Sequence, residues 1–158
     1  MAAGNVTMEM VRAALDPDEP DYAAASALGP DALPLLSQLV GSGDSLLASK
    51  AAYLASLIQG GMQVVQSAAA SNDPIVRVAA AAALTNVSGG AVPDQVLQGL
   101  LADADVGVRK AALQSIAANP GANPNVRSMA TQIAANDADP YIKQLAGEVV
   151  SGLPSDTA

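Results

Sequence analysis

Asp73-Pro-Ile-Val-Arg77-Val-Ala-Ala-Ala-Ala-Ala-Leu84 returns along the chain as Asp105-Val-Gly-Val-Arg109-Lys-Ala-Ala-Leu-Gln-Ser-Ile116 and as Asp139-Pro-Tyr-Ile-Lys143-Gln-Leu-Ala-Gly-Glu-Val-Val150. Each copy has an Asp, a basic residue four later and an aliphatic residue seven beyond that. Ser49-Lys50-Ala-Ala-Tyr-Leu-Ala-Ser-Leu57 reads as a fourth copy whose acid, Asp44, has slipped by two positions. The basic anchors fall at Lys50, Arg77, Arg109 and Lys143, with intervals of 27, 32 and 34 residues. That period suits a pair of helices with two turns and is too short for another domain. Asp21-Tyr-Ala-Ala-Ala-Ser-Ala-Leu28 is a fifth, degenerate copy, as terminal repeats tend to be.

The segments ahead of the anchors are helical in pattern as well: Thr7 to Leu15, Ala32 to Val40, Met62 to Ala70, Pro93 to Leu101 and Val126 to Ala135. Gly29-Pro30, Gly41-Ser-Gly43, Gly60-Gly61, Gly89-Gly90 and Asn119-Pro-Gly-Ala-Asn-Pro-Asn125 separate them, because glycine supplies left-handed caps and proline fits only a first turn. Asp31, Asp73 and Asp94 stand where an N-cap or first-turn acid would meet free N–H groups and the helix dipole. No stretch alternates convincingly enough for a strand. The pattern predicts an all-α chain of about ten short helices in five antiparallel pairs, over roughly 5–29, 30–59, 61–88, 92–119 and 124–153, with a tail over 154–158, all in one domain.

Counting the base as zero, positions −1, +3, +4 and +7 lie on one side of a 3.6-residue helix and predict the core stripe. They are Val76, Ala80, Ala81 and Leu84; Val108, Ala112, Leu113 and Ile116; Ile142, Ala146, Gly147 and Val150; and Ser49, Tyr53, Leu54 and Leu57. Positions +1 and +5 face the other way and predict an exposed surface: Tyr22/Ser26, Ala51/Ala55, Val78/Ala82, Lys110/Gln114 and Gln144/Glu148. On this reading Tyr22, Ala51, Ala55, Val78 and Ala82 form a smooth apolar patch, flanked by the polar Lys110, Gln114, Gln144 and Glu148, that a partner helix or a second copy could cover. The plainer reading is that alanine is a good helix former at surface positions.

The motif Asp73-Pro-x-Val-Arg77-x-Ala-Ala-x-x-Ala-Leu84, with its counterpart from Asp105 to Ile116, resembles the HEAT-like repeat, particularly the short type named for phycobilisome lyases. The resemblance is closest over 61–118, extends over 125–152 and thins over 31–60 and 1–30. It implies a right-handed α-solenoid of stacked helix pairs. It implies much less about activity, since such repeats occur in scaffolds, adaptors, lyases, chaperone-like factors and DNA-repair enzymes.

Composition narrows the function classes. The 158 residues include thirty-five alanines and no Phe, Trp, Cys or His, which removes disulfides, Cys/His metal sites, Cys nucleophiles and imidazole bases. Seven basic against fifteen acidic residues give a net charge of −8, the wrong sign for phosphate backbones or anionic lipid. Arg127, Lys110 and Lys143 are too few for a nucleic-acid stripe and have no aromatic interleaving. Ser88-Gly-Gly-Ala has no following Lys-Ser/Thr, so no phosphate loop is indicated. The longest all-apolar run, Val78 to Leu84, cannot span a bilayer, and Met1 to Met10 does not read as a secretory leader. Asn5-Val-Thr7 and Asn86-Val-Ser88 match the glycosylation sequon by chance, and the cytoplasm is the expected compartment.

Asp73/Arg77, Asp105/Arg109 and Asp139/Lys143 could pass for acid/base pairs, but their periodicity argues for a structural ladder: each Asp caps its own helix and accepts from a base on the next repeat. The doubled acids Asp103-Ala-Asp105 and Asp137-Ala-Asp139 belong to it. Asp16-Pro-Asp18-Glu19-Pro20-Asp21 is the densest acidic run; it lacks the turn glycine and distal Glu of an EF-hand, and reads as a solvated loop rather than a calcium site. Charge is uneven, with −6 over residues 1–44 and −2 over 45–158, so the amino-terminal end could steer a basic partner. The expectation is a non-enzymatic protein-interaction scaffold or adaptor, with no catalytic residues, cofactor or metal, that binds another protein through its concave helix face and acidic amino-terminal end. Nucleic acid and membrane are not expected partners. The alternatives are a lyase- or chaperone-like factor acting on bilin- or tetrapyrrole-bearing proteins, as the resemblance suggests, and a structural subunit of a larger assembly or homodimer.

Overall fold

The computed structural model describes residues 5–87 and 90–154. Gly89 of the Gly89-Gly90 turn, Ser88 of the second sequon, the first four residues and residues 155–158 of the expected tail lie outside the described residues. Among those described, the regular elements are all helical. The ten α-helices are α1 (Met8–Leu15), α2 (Tyr22–Ala25), α3 (Leu33–Val40), α4 (Ser45–Ser56), α5 (Met62–Ala69), α6 (Pro74–Ala83), α7 (Asp94–Leu101), α8 (Val106–Ala118), α9 (Val126–Asn136) and α10 (Pro140–Gly152), joined in part by short 3₁₀ turns. The chain divides into two compact units, Met1–Ala80 and Ala81–Ala158.

Helix starts follow from side-chain chemistry. Asp44, Asp105 and Asp139 each stand at an N-cap with extended backbone, and their carboxylates accept from N–H groups of the first turn of α4, α8 and α10. Asp73 accepts from the Ile75 amide of α6 at 2.9 Å in the same way. Thr7 and Asp21 cap α1 and α2. Asp94 is a first-turn acid of α7, as expected. Asp31 is a first-turn acid of the 3₁₀ turn Pro30–Ala32 that leads into α3, and neither that turn nor α3 has a side-chain cap. The degenerate copy after Asp21 makes only four α-helical residues and one 3₁₀ turn before Gly29, whose φ of 74° ends it.

In the first unit α4 packs between α3 and α5, α3 lies on α5, and α1 lies against α2, α3 and α4. In the second unit α8 packs on α7, α10 on α9 and on α8, and α7 on α9. First helices thus meet first helices, and in the second unit second helices meet second helices. Cores of Leu, Val, Ile and Ala fill the spaces between, with Leu36, Leu39 and Leu54 in one unit and Leu97, Leu113 and Ile116 in the other, each at most 1% exposed. Every such side chain buried contributes about 1.5–3 kcal/mol. Gly61 is required by contact rather than by φ: a Cβ there would sit 1.8 Å from the Ala55 carbonyl oxygen, so the α4–α5 turn closes against backbone.

The core stripe is as expected in α6 and α8, where Val76, Ala80, Ala81 and Leu84, and Val108, Ala112, Leu113 and Ile116, are all buried. In α10, Ile142 and Ala146 are buried while Gly147 and Val150 are only half-buried, and Val149 and Leu153 complete the stripe at 142, 146, 149 and 153, an average step near 3.6.

In α4 only Leu54 of the expected stripe is buried. Ser49 and Tyr53 are half-buried and Leu57 is 38% exposed, whereas Ala51, Ala52 and Ala55 are fully buried. The reason is that register is set by the capping acid, not by the base. Counted from Asp44 as the others are from their caps, the zero position is Ala48, and Leu47, Ala51, Ala52 and Ala55 take −1, +3, +4 and +7.

Candidate functional site

The recurring chemistry of the chain lies in the turns that start the second helix of each pair. Asp44, Asp73, Asp105 and Asp139 each donate their own amide to a side-chain oxygen two residues back, on Ser42, Ser71, Asp103 and Asp137. After Asp73 and Asp105 the base four residues later closes the loop. Arg77 Nη1 donates to the Ser71 carbonyl at 2.9 Å, and Arg109 Nη1 donates to the Asp103 carbonyl at 2.9 Å. Acid, turn and base therefore form one unit of local structure, with the guanidinium folded back on carbonyls that have no helical partner.

Within each unit a contact links successive turns. In the first unit the Ser45 hydroxyl donates to the Asp73 carboxylate. That bond, with the Ile75 amide next, holds the Asp73 carboxyl below the usual aspartate range. In the second unit Arg109 Nη2 donates to Asp137 Oδ1 at 3.3 Å and Nε lies 3.0 Å from Oδ2, with the side chains 15% and 6% exposed. The ladder differs here from expectation in two ways. The acid reached by Arg109 is Asp137, the first of the doublet, and not the capping Asp139; and the base comes from the preceding repeat. Asp139 Oδ1 accepts from the Tyr141 and Ile142 amides, while Asp137, whose Oδ1 also accepts the Asp139 amide, meets the guanidinium. Lys143 is exposed on α10.

Of the residues expected to meet a partner, Ala51 and Ala55 are 0% exposed and cannot do so; they are core, displaced by the two-residue slip in α4. The smooth patch is therefore broken. Tyr22 is half-buried, its ring edge-on to Tyr53 at 4.8 Å, and burial, then the neighbouring Tyr53 phenol, raises its pKa. Val78 is half-buried and Ala82 exposed. Lys110, Gln114, Gln144 and Glu148 are all exposed on the packed pair α8 and α10. Lys110 Nζ lies 5.6 Å from the Tyr141 ring centroid, and Gln144 Nε2 donates to Glu148 Oε1 at 3.2 Å. With Val106 46% and Tyr141 54% exposed at the same helix starts, the outer side of this pair has an apolar end and a hydrogen-bonding end.

Three roles escape the sequence reading. Lys50, taken as a repeat anchor, is 8% exposed, and its Nζ donates to the carbonyls of Leu15 and Pro17 at 3.0 and 2.8 Å, capping the carboxyl end of α1. Asn119 and Asn123, read only as turn residues, clamp distant segments. Asn119 donates to the Leu84 and Val87 carbonyls, and buried Asn123 to the Val92 carbonyl and the Asp94 carboxylate, which Asn125 also meets. Three asparagines within seven residues, interspersed with two prolines and a glycine, carried a signal of side chains replacing backbone partners. Arg127 of α9 donates to the Leu153 and Pro154 carbonyls at the end of α10.

No three acidic side chains among the described residues converge as a metal site would require, and Asp16, Asp18, Glu19 and Asp21 are all exposed. No helix is long and apolar enough to cross a membrane, among the described residues. No protein-family model matches the chain, and no curated protein matches it.

Proposed function

We propose that the chain is a HEAT-like helical-repeat module, a solenoid of capped helix pairs, that works without catalysis as an adaptor binding another protein in the cytoplasm. The observation that carries this reading is the outer side of α8 and α10. There one surface offers Val106, Tyr141 and Lys110 towards the helix starts and Gln114, Gln144 and Glu148 further along, while Arg109 and Asp139 are engaged in the turns. Mixed aromatic, aliphatic and amide groups on a rigid helix pair suit a partner helix better than a small ligand. First-on-first and second-on-second packing within the second unit supports the stacked-pair reading.

Photo-crosslinking tests it. A benzophenone amino acid placed at Gln114 or at Gln144 should give an adduct to the same protein in native lysate, and at exposed Ala135 on α9 should give none. Adducts that differ between positions 114 and 144, or that equal those from 135, would remove the proposed face.

A further inference from the structure

Beside the carboxyl end of α1, where α4 begins, lies a cleft of about 220 Å³ lined in part by the capping Asp44. Leu15, Leu47 and Leu46 form its apolar side, and Leu46 is 63% exposed, more than any other large apolar residue of the described chain. Arg12, Asp16 and Asp44 line its polar side. The volume is below the 300–1,000 Å³ of ordinary small-molecule sites and holds about seven waters' worth of space, the size of one or two aliphatic side chains.

Charge indicates what flanks such a side chain. Lys50 also lines the cleft, but its ammonium is turned onto the Leu15 and Pro17 carbonyls, which leaves Arg12 as the exposed base at the rim. Against it stand Asp16 and Asp44, and the chain leaving the cleft carries the exposed Asp18, Glu19 and Asp21. The bond from Lys50 to the Pro17 carbonyl ties the start of that acidic run to a residue of the cleft.

We propose that this cleft docks a short basic segment of the partner protein, with one aliphatic side chain against Leu46 and Leu47 and flanking Lys or Arg residues against Asp16, Asp44 and the acids that follow. It rests on the adaptor reading but uses a different surface, so the two fail separately. Apolar anchoring supplies position, and the acidic rim supplies sign selectivity and faster encounter.

The test is an amide chemical-shift titration of the full chain with two synthetic peptides, Gly-Lys-Arg-Leu-Lys-Gly and Gly-Glu-Glu-Leu-Glu-Gly, each taken to millimolar concentration. The basic peptide should shift amides at Leu15, Asp16, Leu46 and Leu47, and the acidic one should not. Leu46→Gln, at an exposed helical position, should weaken binding about tenfold with the spectrum otherwise unchanged, and Asp16→Asn/Asp18→Asn should weaken it and flatten its salt dependence. Equal shifts with both peptides, no shift with either, or full affinity in Leu46→Gln would overturn the cleft. Shifts confined to α8 and α10 would overturn it too while leaving the adaptor face standing, and the crosslinks at 114 and 144 do not involve this cleft.

Discussion

Lys50 shows how far a single side chain departs from the role its repeat suggests. An ammonium this buried is tolerable only because two carbonyls without helical partners accept from it. Lys50→Met keeps most of the packing volume and leaves both carbonyls unsatisfied, so it should cost about 1–3 kcal/mol in urea unfolding. A variant as stable as wild type would show that water replaces the ammonium. At Asp73 the coupling is to a neighbouring turn. The carboxyl is shifted down by the Ser45 hydroxyl first and the Ile75 amide second. Because the folded pKa is depressed, the stabilisation is complete above the ordinary aspartate value near 3.9 and is lost as the pH falls through the lowered one. Ser45→Ala should raise the Asp73 pKa in a carboxyl-detected NMR titration, and an unchanged value would assign the shift to the amides alone.

At the scale of the helix, the capping aspartate decides register, and substitutions on α4 and α6 separate this from a base-centred repeat. Ala55 is core and Ala82 is exposed. Ala55→Arg should therefore abolish folding by circular dichroism, since an unpaired charge enters a packed interior, whereas Ala82→Arg should change stability by less than about 0.5 kcal/mol. Equal tolerance at both sites would restore the base-centred register. Element positions were largely legible because caps, glycines and a 3.6 period are local signals: the expected helix over Val126 to Ala135 and the observed α9 differ by one residue. The α4 register was not, because Lys50 mimics the anchor base and only its burial shows that it serves α1 instead. The partners of the loop clamps Asn119 and Asn123 were hidden, since they lie 29 to 35 residues away.

Over the whole chain, acids outnumber bases in both units, eight to three over residues 1–80 and seven to four over 81–158. Several of those bases are turned inward: Lys50 is buried, and Arg77, Arg109 and Arg127 each donate to backbone carbonyls. The exposed charge is therefore mostly acidic, with exposed Lys110 and Lys143 as basic points on α8 and α10. Of the candidate site, Ala82 and the polar residues of those two helices were legible as exposed, because their copies keep the cap-to-base spacing of four; Ala51 and Ala55 were not, because their copy had lost that spacing.

The most direct test of the adaptor reading is affinity capture from native lysate with the wild-type chain beside Gln114→Arg/Gln144→Arg, two exposed substitutions whose circular dichroism should match wild type. The account predicts a protein enriched by wild type and depleted at least tenfold by the double variant, the same one crosslinked from positions 114 and 144. Undiminished enrichment by the double variant, or enrichment of nothing beyond background, would contradict it.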